Sequence, residues 1–198
     1  MADYCRKVLN MPIEELTDLY NGNAAKAEKL VNLCKAMLIY GGTAQMQFGY
    51  RTDDLAYEGI TYTLEDVGAL GTTIFPEGFA EACGIEFWKS SLMLESETSY
   101  RMYFSVTDQT KLDNLTVKLG NETLTYTKSG SYIYYSISNI PAKMILSDYM
   151  LTFGDQTVTA NAGEYIAKAL DKGSDDLKET AKALYWYSTA AIDYFGAD

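Results

Sequence analysis

Near both ends of the chain, hydrophobic residues recur at every third or fourth position, which is the spacing of one helix face. At the amino-terminal end this pattern predicts a helix over 2–10 that stops before Pro12. It also predicts a long helix over 24–48, with Asn23 as N-cap and Gly49 just past its end. At the carboxyl-terminal end a second long helix is predicted, which Ser174 caps and Gly196 follows.

The two helical ends resemble each other in sequence. CKAMLIYGGTAQMQFG (34–49) aligns without a gap with AKALYWYSTAAIDYFG (181–196), and DYCRKVL (3–9) aligns with EYIAKAL (164–170). Small residues occupy matching positions in the two long helices, and small side chains allow a neighbouring backbone to come close. The alternative is that each long helix packs separately on a sheet. We predict that the long helices cross at Gly41, Ala44, Ser188 and Ala191.

The middle of the chain alternates hydrophobic and polar residues with a period of two, which predicts β-strands. Gly120-Asn121 and Gly154-Asp155 have the residue types that two-residue hairpin turns require. The segment 66–84 lacks a clear period and is predicted to be a long loop. The predicted strands cover 58–64, 85–94, 99–107, 115–119, 122–127, 132–138, 149–153 and 156–160.

This order of elements predicts an α+β fold. Short strands with closely spaced turns are typical of an antiparallel, immunoglobulin-like β-sandwich. Strand and helix do not alternate repeatedly, which disfavours a parallel α/β fold. We therefore expect amino-terminal helices over 1–50 and carboxyl-terminal helices over 161–198, repeats of each other, to frame a sandwich over 55–160. One compact unit over 1–198 is expected, because an isolated helical hairpin would have little surface to bury.

Charge and composition narrow the range of functions. The net charge of -11 at pH 7 disfavours nucleic acids and anionic membranes as partners, since both require basic surfaces. No segment is long and apolar enough for insertion into a membrane. The chain has no histidine, and its three cysteines lie far apart in sequence, so we expect neither a metal nor a cofactor. Cys34 lies on an apolar helix face and is predicted to be a buried free thiol.

Tyrosine is unusually frequent, with 17 residues against seven Phe and two Trp. Aromatic rings that carry a hydroxyl suit sugar stacking and protein contacts. Alternation places Tyr132 and Tyr134 on one strand face, and we predict a ligand platform that also includes Tyr103 and Tyr126. The alternative is that these tyrosines only fill half-buried strand positions, where tyrosine is favoured. Trp88 is interpreted as a core anchor, with sugar stacking as the alternative.

Carboxylates supply the catalytic alternative. Acidic pairs occur at 53–54, 65–66 and 175–176, and a glycosidase needs two carboxylates held across a cleft. The pair at 175–176 is already explained by the helix start, where negative charge is favourable. Asp108, Asp113 and Asn114 offer oxygen ligands for calcium, although without the spacing of an EF-hand.

Several segments resemble one family. They are Lys35–Tyr50 (KAMLIYGGTAQMQFGY), Ser90–Val106 (SSLMLESETSYRMYFSV), Tyr132–Leu146 (YIYYSISNIPAKMIL) and the closing helical segment. Together they resemble an uncharacterised helix–β-sandwich–helix module of secreted and cell-surface proteins from gut Firmicutes. The resemblance covers essentially the whole chain. The closing helix departs from the family pattern at Tyr185, Trp186 and Ser188.

The resemblance implies a location outside the cell or in the cell wall, neighbouring modules in a larger chain, and no catalytic residue. The opening MADYCRK is not followed by the apolar stretch of a signal peptide, so any secretion signal is expected outside the given sequence. The predicted function is a non-catalytic module that binds a glycan or a surface protein, or that acts as a structural spacer. The alternatives are a carbohydrate-active enzyme using Asp or Glu, and a homo-oligomer formed through the Gly41 and Ser188 faces.

Overall fold

The computed structural model describes residues 2–94 and 98–196 and has an α+β fold with two antiparallel four-stranded sheets. The chain divides into two compact units, which we call the helical unit (1–69, 142–144 and 166–198) and the β unit (70–141 and 145–165). The helices are α1 (Ala2–Leu9), α2 (Ile13–Leu19), α3 (Ala24–Phe48), α4 (Phe79–Cys83), α5 (Gln109–Asp113), α6 (Gly163–Lys172) and α7 (Asp175–Phe195). The strands are β1 (Ile85–Leu94), β2 (Thr98–Val106), β3 (Val117–Leu119), β4 (Glu122–Leu124), β5 (Thr127–Ser129), β6 (Tyr132–Ile137), β7 (Asp148–Phe153) and β8 (Gln156–Asn161).

Local signals set the ends of the two long helices. The Asn23 side chain accepts a hydrogen bond from the Lys26 backbone N–H at 3.0 Å, and Gly49 follows α3 in the left-handed conformation. The Ser174 hydroxyl accepts from the Leu177 backbone N–H at 3.3 Å at the start of α7. The predicted bounds of α3 and the predicted cap of α7 are therefore confirmed. None of the helices among the described residues combines the length and the apolar character needed to cross a membrane.

Helices α3 and α7 pack against each other in antiparallel directions. The Lys26 ammonium group near the start of α3 donates to the Tyr194 carbonyl near the end of α7 at 2.6 Å. At the opposite end, the Thr180 hydroxyl of α7 donates to the Thr43 carbonyl of α3 at 3.0 Å. The prediction that the two long helices contact each other is thus confirmed.

The aromatic pair Tyr40 and Tyr187 lies in the middle of this contact. The two rings stack with centroids 5.6 Å apart and planes inclined by 15°. These tyrosines occupy the same position in the two similar segments of the chain. At this one pair, equivalent positions of the two similar segments meet.

The glycine pair in α3 makes room for the segment that follows α3. A Cβ atom on Gly41 would meet the Ala56 side chain at 3.2 Å as its nearest neighbour, and one on Gly42 would overlap the Tyr57 ring. The structure therefore corrects the predicted role of Gly41, which packs on the chain after α3 rather than on α7. The hydrophobic periodicity of α3 could not show whether Gly41 packs on the segment after α3 or on α7, because both neighbours lie on an apolar side of α3.

The small residues of α7 that align with the small residues of α3 have different contacts. Ser188 is fully buried, and its hydroxyl donates to the carbonyl of Ala142, in a 3₁₀ turn over Ala142–Met144, at 2.8 Å. Ala191 is buried and Ala44 is half-buried. For Ala44 and Ala191 the crossing stays a prediction.

The core of the helical unit forms where α1 and α2 pack on α3. Its members are small or aliphatic residues spaced by one helical turn, and Cys34 is among them as a free, buried thiol, as predicted. Burial and the neighbouring Cys5 thiol raise the pKa of Cys34 to about 12. The buried members of this cluster are Cys5, Val8, Leu16, Ala27, Leu30, Cys34 and Leu38.

The β unit contains both sheets. The first sheet has the strand order β1-β2-β6-β5, and the second sheet has the order β4-β3-β7-β8, with all neighbouring strands antiparallel. Phe104 and Tyr135 of the first sheet contact Phe153 of the second, with ring centroids 5.8 and 5.4 Å apart. The two sheets therefore share one aromatic core. Both predicted hairpin turns are confirmed, with Gly120 and Gly154 at positive φ.

Two predicted strands differ from the structure. Residues 58–64 form no strand, because Ile60 packs on the core of the helical unit and the Tyr62 hydroxyl donates to Glu179 at 2.8 Å. The predicted strand over 122–127 is divided into β4 and β5, which belong to different sheets. The predicted loop over 66–84 ends in α4, whose Phe79 joins the aromatic core 5.3 Å from Phe153.

Candidate ligand-binding surface

The outward side of the first sheet carries tyrosines at the positions that alternate with the core. Tyr103 of β2 lies opposite Tyr134 of β6, and their ring centroids are 5.1 Å apart. Their chain neighbours Phe104 and Tyr135 point into the core, so a period of two sends Tyr103 and Tyr134 to the other side. Tyr132 lies two residues before Tyr134 and shares its face.

A β-bulge in β1 adds a tryptophan to this side of the sheet. The register with β2 shifts at Trp88, so that Trp88 and Lys89 together lie opposite Tyr103. In a regular strand two successive side chains would point to opposite faces, and a bulge removes that alternation. The indole stacks on the Tyr132 ring with centroids 4.0 Å apart and planes within 10°, yet remains 48% exposed. The interpretation of Trp88 as a core anchor was therefore wrong.

Two cations lie on these rings. The Lys89 ammonium group is 4.2 Å from the Trp88 ring centroid and 5.3 Å from that of Tyr103. Because Tyr132 occupies one side of the indole, Lys89 covers the other side. The Arg101 guanidinium group is 4.9 Å from the Tyr134 ring centroid. Each such contact stabilises by about 0.5–1 kcal/mol at an exposed site.

The six outward residues described above form what we call the aromatic face. The hydroxyl side chains beside them form the rim of this face. On β5, Thr127 pairs with Tyr134 and Ser129 pairs with Tyr132, so both hydroxyls lie beside the rings. Short polar side chains of this kind donate and accept hydrogen bonds without covering the rings. The aromatic face consists of Trp88, Lys89, Arg101, Tyr103, Tyr132 and Tyr134.

Tyr126, the fourth predicted platform residue, lies elsewhere. Its ring contacts Tyr135 edge-on at a centroid distance of 6.2 Å, and Tyr135 belongs to the aromatic core. Burial, followed by the nearby Tyr126, raises the pKa of Tyr135 to about 12. The structure therefore brings together Tyr103, Tyr132 and Tyr134 but not Tyr126, because the chain at 125–126 passes from one sheet to the other. No local signal in the sequence marks that crossing.

The acidic pairs that supplied the catalytic alternative have structural contacts. Asp54 pairs with Arg51 at 2.6 Å, and Asp66 pairs with Lys182 at 2.8 Å. The hydrogen bond and the charge of Lys182 lower the pKa of Asp66. The acids at 175–176 lie in the first turn of α7, where the helix dipole favours them. These contacts explain one carboxylate of each pair without a catalytic role.

The side chains considered as calcium ligands form hydrogen bonds with residues of α5, in which Asp108 and Asp113 accept through an oxygen and Asn114 donates through its amide nitrogen. Asp108 caps this helix by accepting from the Lys111 backbone N–H at 3.2 Å. Asp113 and Asn114 each form a side-chain hydrogen bond one turn back along the helix. Within residues 2–94 and 98–196, no group of three or more His, Cys, Asp and Glu residues is placed to hold a metal ion.

A shallow groove of about 470 Å³ lies at the start of β1. Phe75, Phe79 and Phe87 line it, together with Glu86. The Phe75 ring is 4.8 Å from the rings of both Phe79 and Phe87. Because Phe79 is buried among these rings, the groove is the open edge of the aromatic core and offers few polar groups that could orient a ligand.

Comparisons of the chain with protein-family models, with curated proteins and with solved structures found no match in any of the three. We therefore infer the function of the chain from the aromatic face and its surroundings.

Proposed function

We propose that this chain is a non-catalytic module of a bacterial cell-surface or secreted protein, and that its aromatic face binds a glycan. The observation that carries the proposal is the exposed Trp88, which a β-bulge places against Tyr103, Tyr132 and Lys89. Location outside the cell and neighbouring modules in a larger chain are part of the proposal. They are supported by the resemblance of the helical and strand segments to the surface module.

Folding alone gives little reason for this arrangement. A large indole that remains 48% exposed contributes less to the hydrophobic free energy of folding than a buried one. Bulges are over-represented at sheet edges, where β1 lies, and beside active sites, where they redirect a side chain. A Trp–Tyr stack with its polar groups at the edge suits a surface that meets a partially polar ligand.

The chemistry of the surroundings favours a glycan over a protein. The outward residues of β2, β5 and β6 are aromatic, hydroxyl-bearing or arginine, and the described outward positions of these strands include no aliphatic side chain. Tyr, Trp and Arg are frequent in protein interfaces too, but the fully buried centre of such an interface is mostly apolar. Sugars instead offer hydroxyls and the C–H faces of their rings. A structural spacer would not need such a face.

The finer features of the fold belong to the same proposal. An immunoglobulin-like topology is supported by two antiparallel four-stranded sheets that share one core. Framing of the sheets by repeated hairpins is supported by the helical form of all four matched segments.

A glycan array with the intact chain tests the proposal. Trp88→Ala and Tyr134→Ala are each expected to weaken binding by about 5- to 150-fold, if a sugar stacked on the ring is worth about as much as the 1–3 kcal/mol of a nucleic-acid base stacked on an aromatic side chain. Tyr50→Ala is the matched control, because Tyr50 is 65% exposed and lies in the helical unit. Circular dichroism checks that each variant is folded.

Two results would contradict this function. Binding that survives both Trp88→Ala and Tyr134→Ala would exclude the aromatic face. Release of reducing ends from the bound glycan, abolished by substitution of an acidic residue, would favour the carbohydrate-active enzyme instead.

A further inference from the structure

We infer that the glycan bound by the aromatic face is acidic, and that its uronate carboxylates pair with Lys89 and Arg101. This inference rests on the proposed function and specifies the ligand class. We base the acidic ligand class on the position of the two cations, on their partners, and on the charge of the rest of the chain.

The cations lie where a neutral sugar would have to stack. Tyr132 covers one side of the Trp88 indole and Lys89 covers the other, while Arg101 lies over the Tyr134 ring. A neutral sugar ring must displace these cations and lose their contacts with the rings. A uronate ring that stacks there displaces the same cations, but its carboxylate keeps them close and accepts charge-assisted hydrogen bonds from them.

Neither cation has an acidic partner within the described residues. Salt bridges of the described residues involve, for example, Arg6, Lys29, Arg51 and Lys182, and none of these four bridges includes Lys89 or Arg101. The Nε–H group of Arg101 is buried and has no hydrogen-bond acceptor. A buried charged donor without an acceptor is rare in folded proteins, because leaving it unpaired costs about 1–3 kcal/mol or more. The buried Nε–H itself is closed to a ligand, so a carboxylate would meet the terminal nitrogens of Arg101 and balance the charge of the guanidinium group there.

The local charge is opposite to that of the whole chain. Glu86 lies on the outward side of β1 opposite Ser105, so among the described residues of the first sheet one acidic residue accompanies the two cations. The chain has a net charge of -11, which repels a polyanion in general. An acidic glycan would therefore bind only at a local basic site and not by non-specific ion exchange.

Calorimetry with the intact chain compares matched ligands. The probes are oligogalacturonate and hyaluronan oligosaccharides, each measured against its carboxyl-reduced counterpart, together with an oligoglutamate peptide. We expect at least one uronate probe to bind about tenfold more tightly than its reduced form. Lys89→Gln and Arg101→Gln are expected to remove this difference and to leave binding of the reduced form unchanged or stronger. Lys118→Gln is the control, since Lys118 is exposed on the second sheet.

Each outcome decides between the ligand classes. Equal binding of the uronate and reduced forms, lost in Trp88→Ala, would overturn the acidic preference and leave glycan binding in place. Failure of every oligosaccharide to bind would overturn both. Oligoglutamate that binds as tightly as the uronates, with the same dependence on Lys89, would indicate an acidic protein as partner. If Arg101→Gln does not fold, Lys89→Gln alone decides, because Lys89 is exposed.

Discussion

The two faces of the first sheet use tyrosine in different ways. Tyr135 points into the core, is 2% exposed, and packs edge-on against Phe153 of the second sheet at 5.4 Å. Tyr134, the preceding residue, points outward, contacts Tyr103 and carries the Arg101 guanidinium group over its ring. One step along the strand therefore separates a residue that holds the sheets together from one available to a ligand. The frequency of tyrosine in the sequence does not distinguish these roles.

The neighbours explain why the two faces should respond differently to substitution. Inner rings lie among apolar side chains, so removing one leaves a cavity. Outer rings lie among cations and hydroxyls and remain partly hydrated, so removing one mainly removes a pairwise contact. The inner face should determine stability and the outer face should determine binding.

The largest expected effect separates the two faces by stability. Tyr135→Ala should lower the free energy of unfolding by about 3–5 kcal/mol, because it leaves a cavity in the shared core. Tyr134→Ala should lower it by about 1 kcal/mol, the value of a cross-strand pair. Urea unfolding measures both. Equal losses for these neighbouring residues would remove the distinction between the faces.

A second prediction uses the pH dependence of the inner face. Burial raises the pKa of Tyr135 from 10.0 to about 12, so between these pH values the unfolded chain releases this proton and the folded chain keeps it. The contribution of Tyr135 to stability is therefore complete below pH 10 and is lost as the pH rises toward 12. It is on the order of 2 kcal/mol. Tyr135→Phe should flatten this part of the stability–pH curve, and identical slopes for wild type and variant would contradict the prediction.

The smallest expected effect concerns the bulge. Deleting Trp88 leaves the alternation of β1 in register with β2, with Phe87 still inward and Lys89 still outward. The free energy of unfolding should therefore fall by only about 1 kcal/mol, the value of the lost ring contacts, while glycan binding is lost. Deleting Ser91 is the control, because it removes a residue from the regular part of β1 and so reverses the alternation. Either the buried Leu92 or the residues before the deletion then point to the wrong face of the sheet. Similar destabilisation by the two deletions would show that Trp88 is not an inserted residue.

Much of the fold could be predicted because it depends on local signals. Asn23 and Ser174 cap the helices that they precede, and Gly120 and Gly154 adopt the positive φ that their hairpin turns need. Alternation in β6 also placed Tyr132 and Tyr134 correctly on one side of the strand. These features depend on a few neighbouring residues, whatever the rest of the chain does.

The features that could not be predicted depend on distant partners. Gly41 meets Ala56, a neighbour that its position on α3 does not specify. The β4–β5 division sends Tyr126 to the core, and the register of β1 against β2 turns Trp88 outward. Each of these three features depends on packing between segments that are separate in sequence.

By itself, the sequence determined where helices and hairpins begin and end, and which tyrosines of one strand share a side. Only the tertiary structure decided which side faces the core, which strands are neighbours, and that Trp88, Lys89 and Arg101 join three tyrosines on one surface. The physical reason is that a period of two relates residues within a strand only. Strand order and the bulge arise from pairing and core packing across the chain.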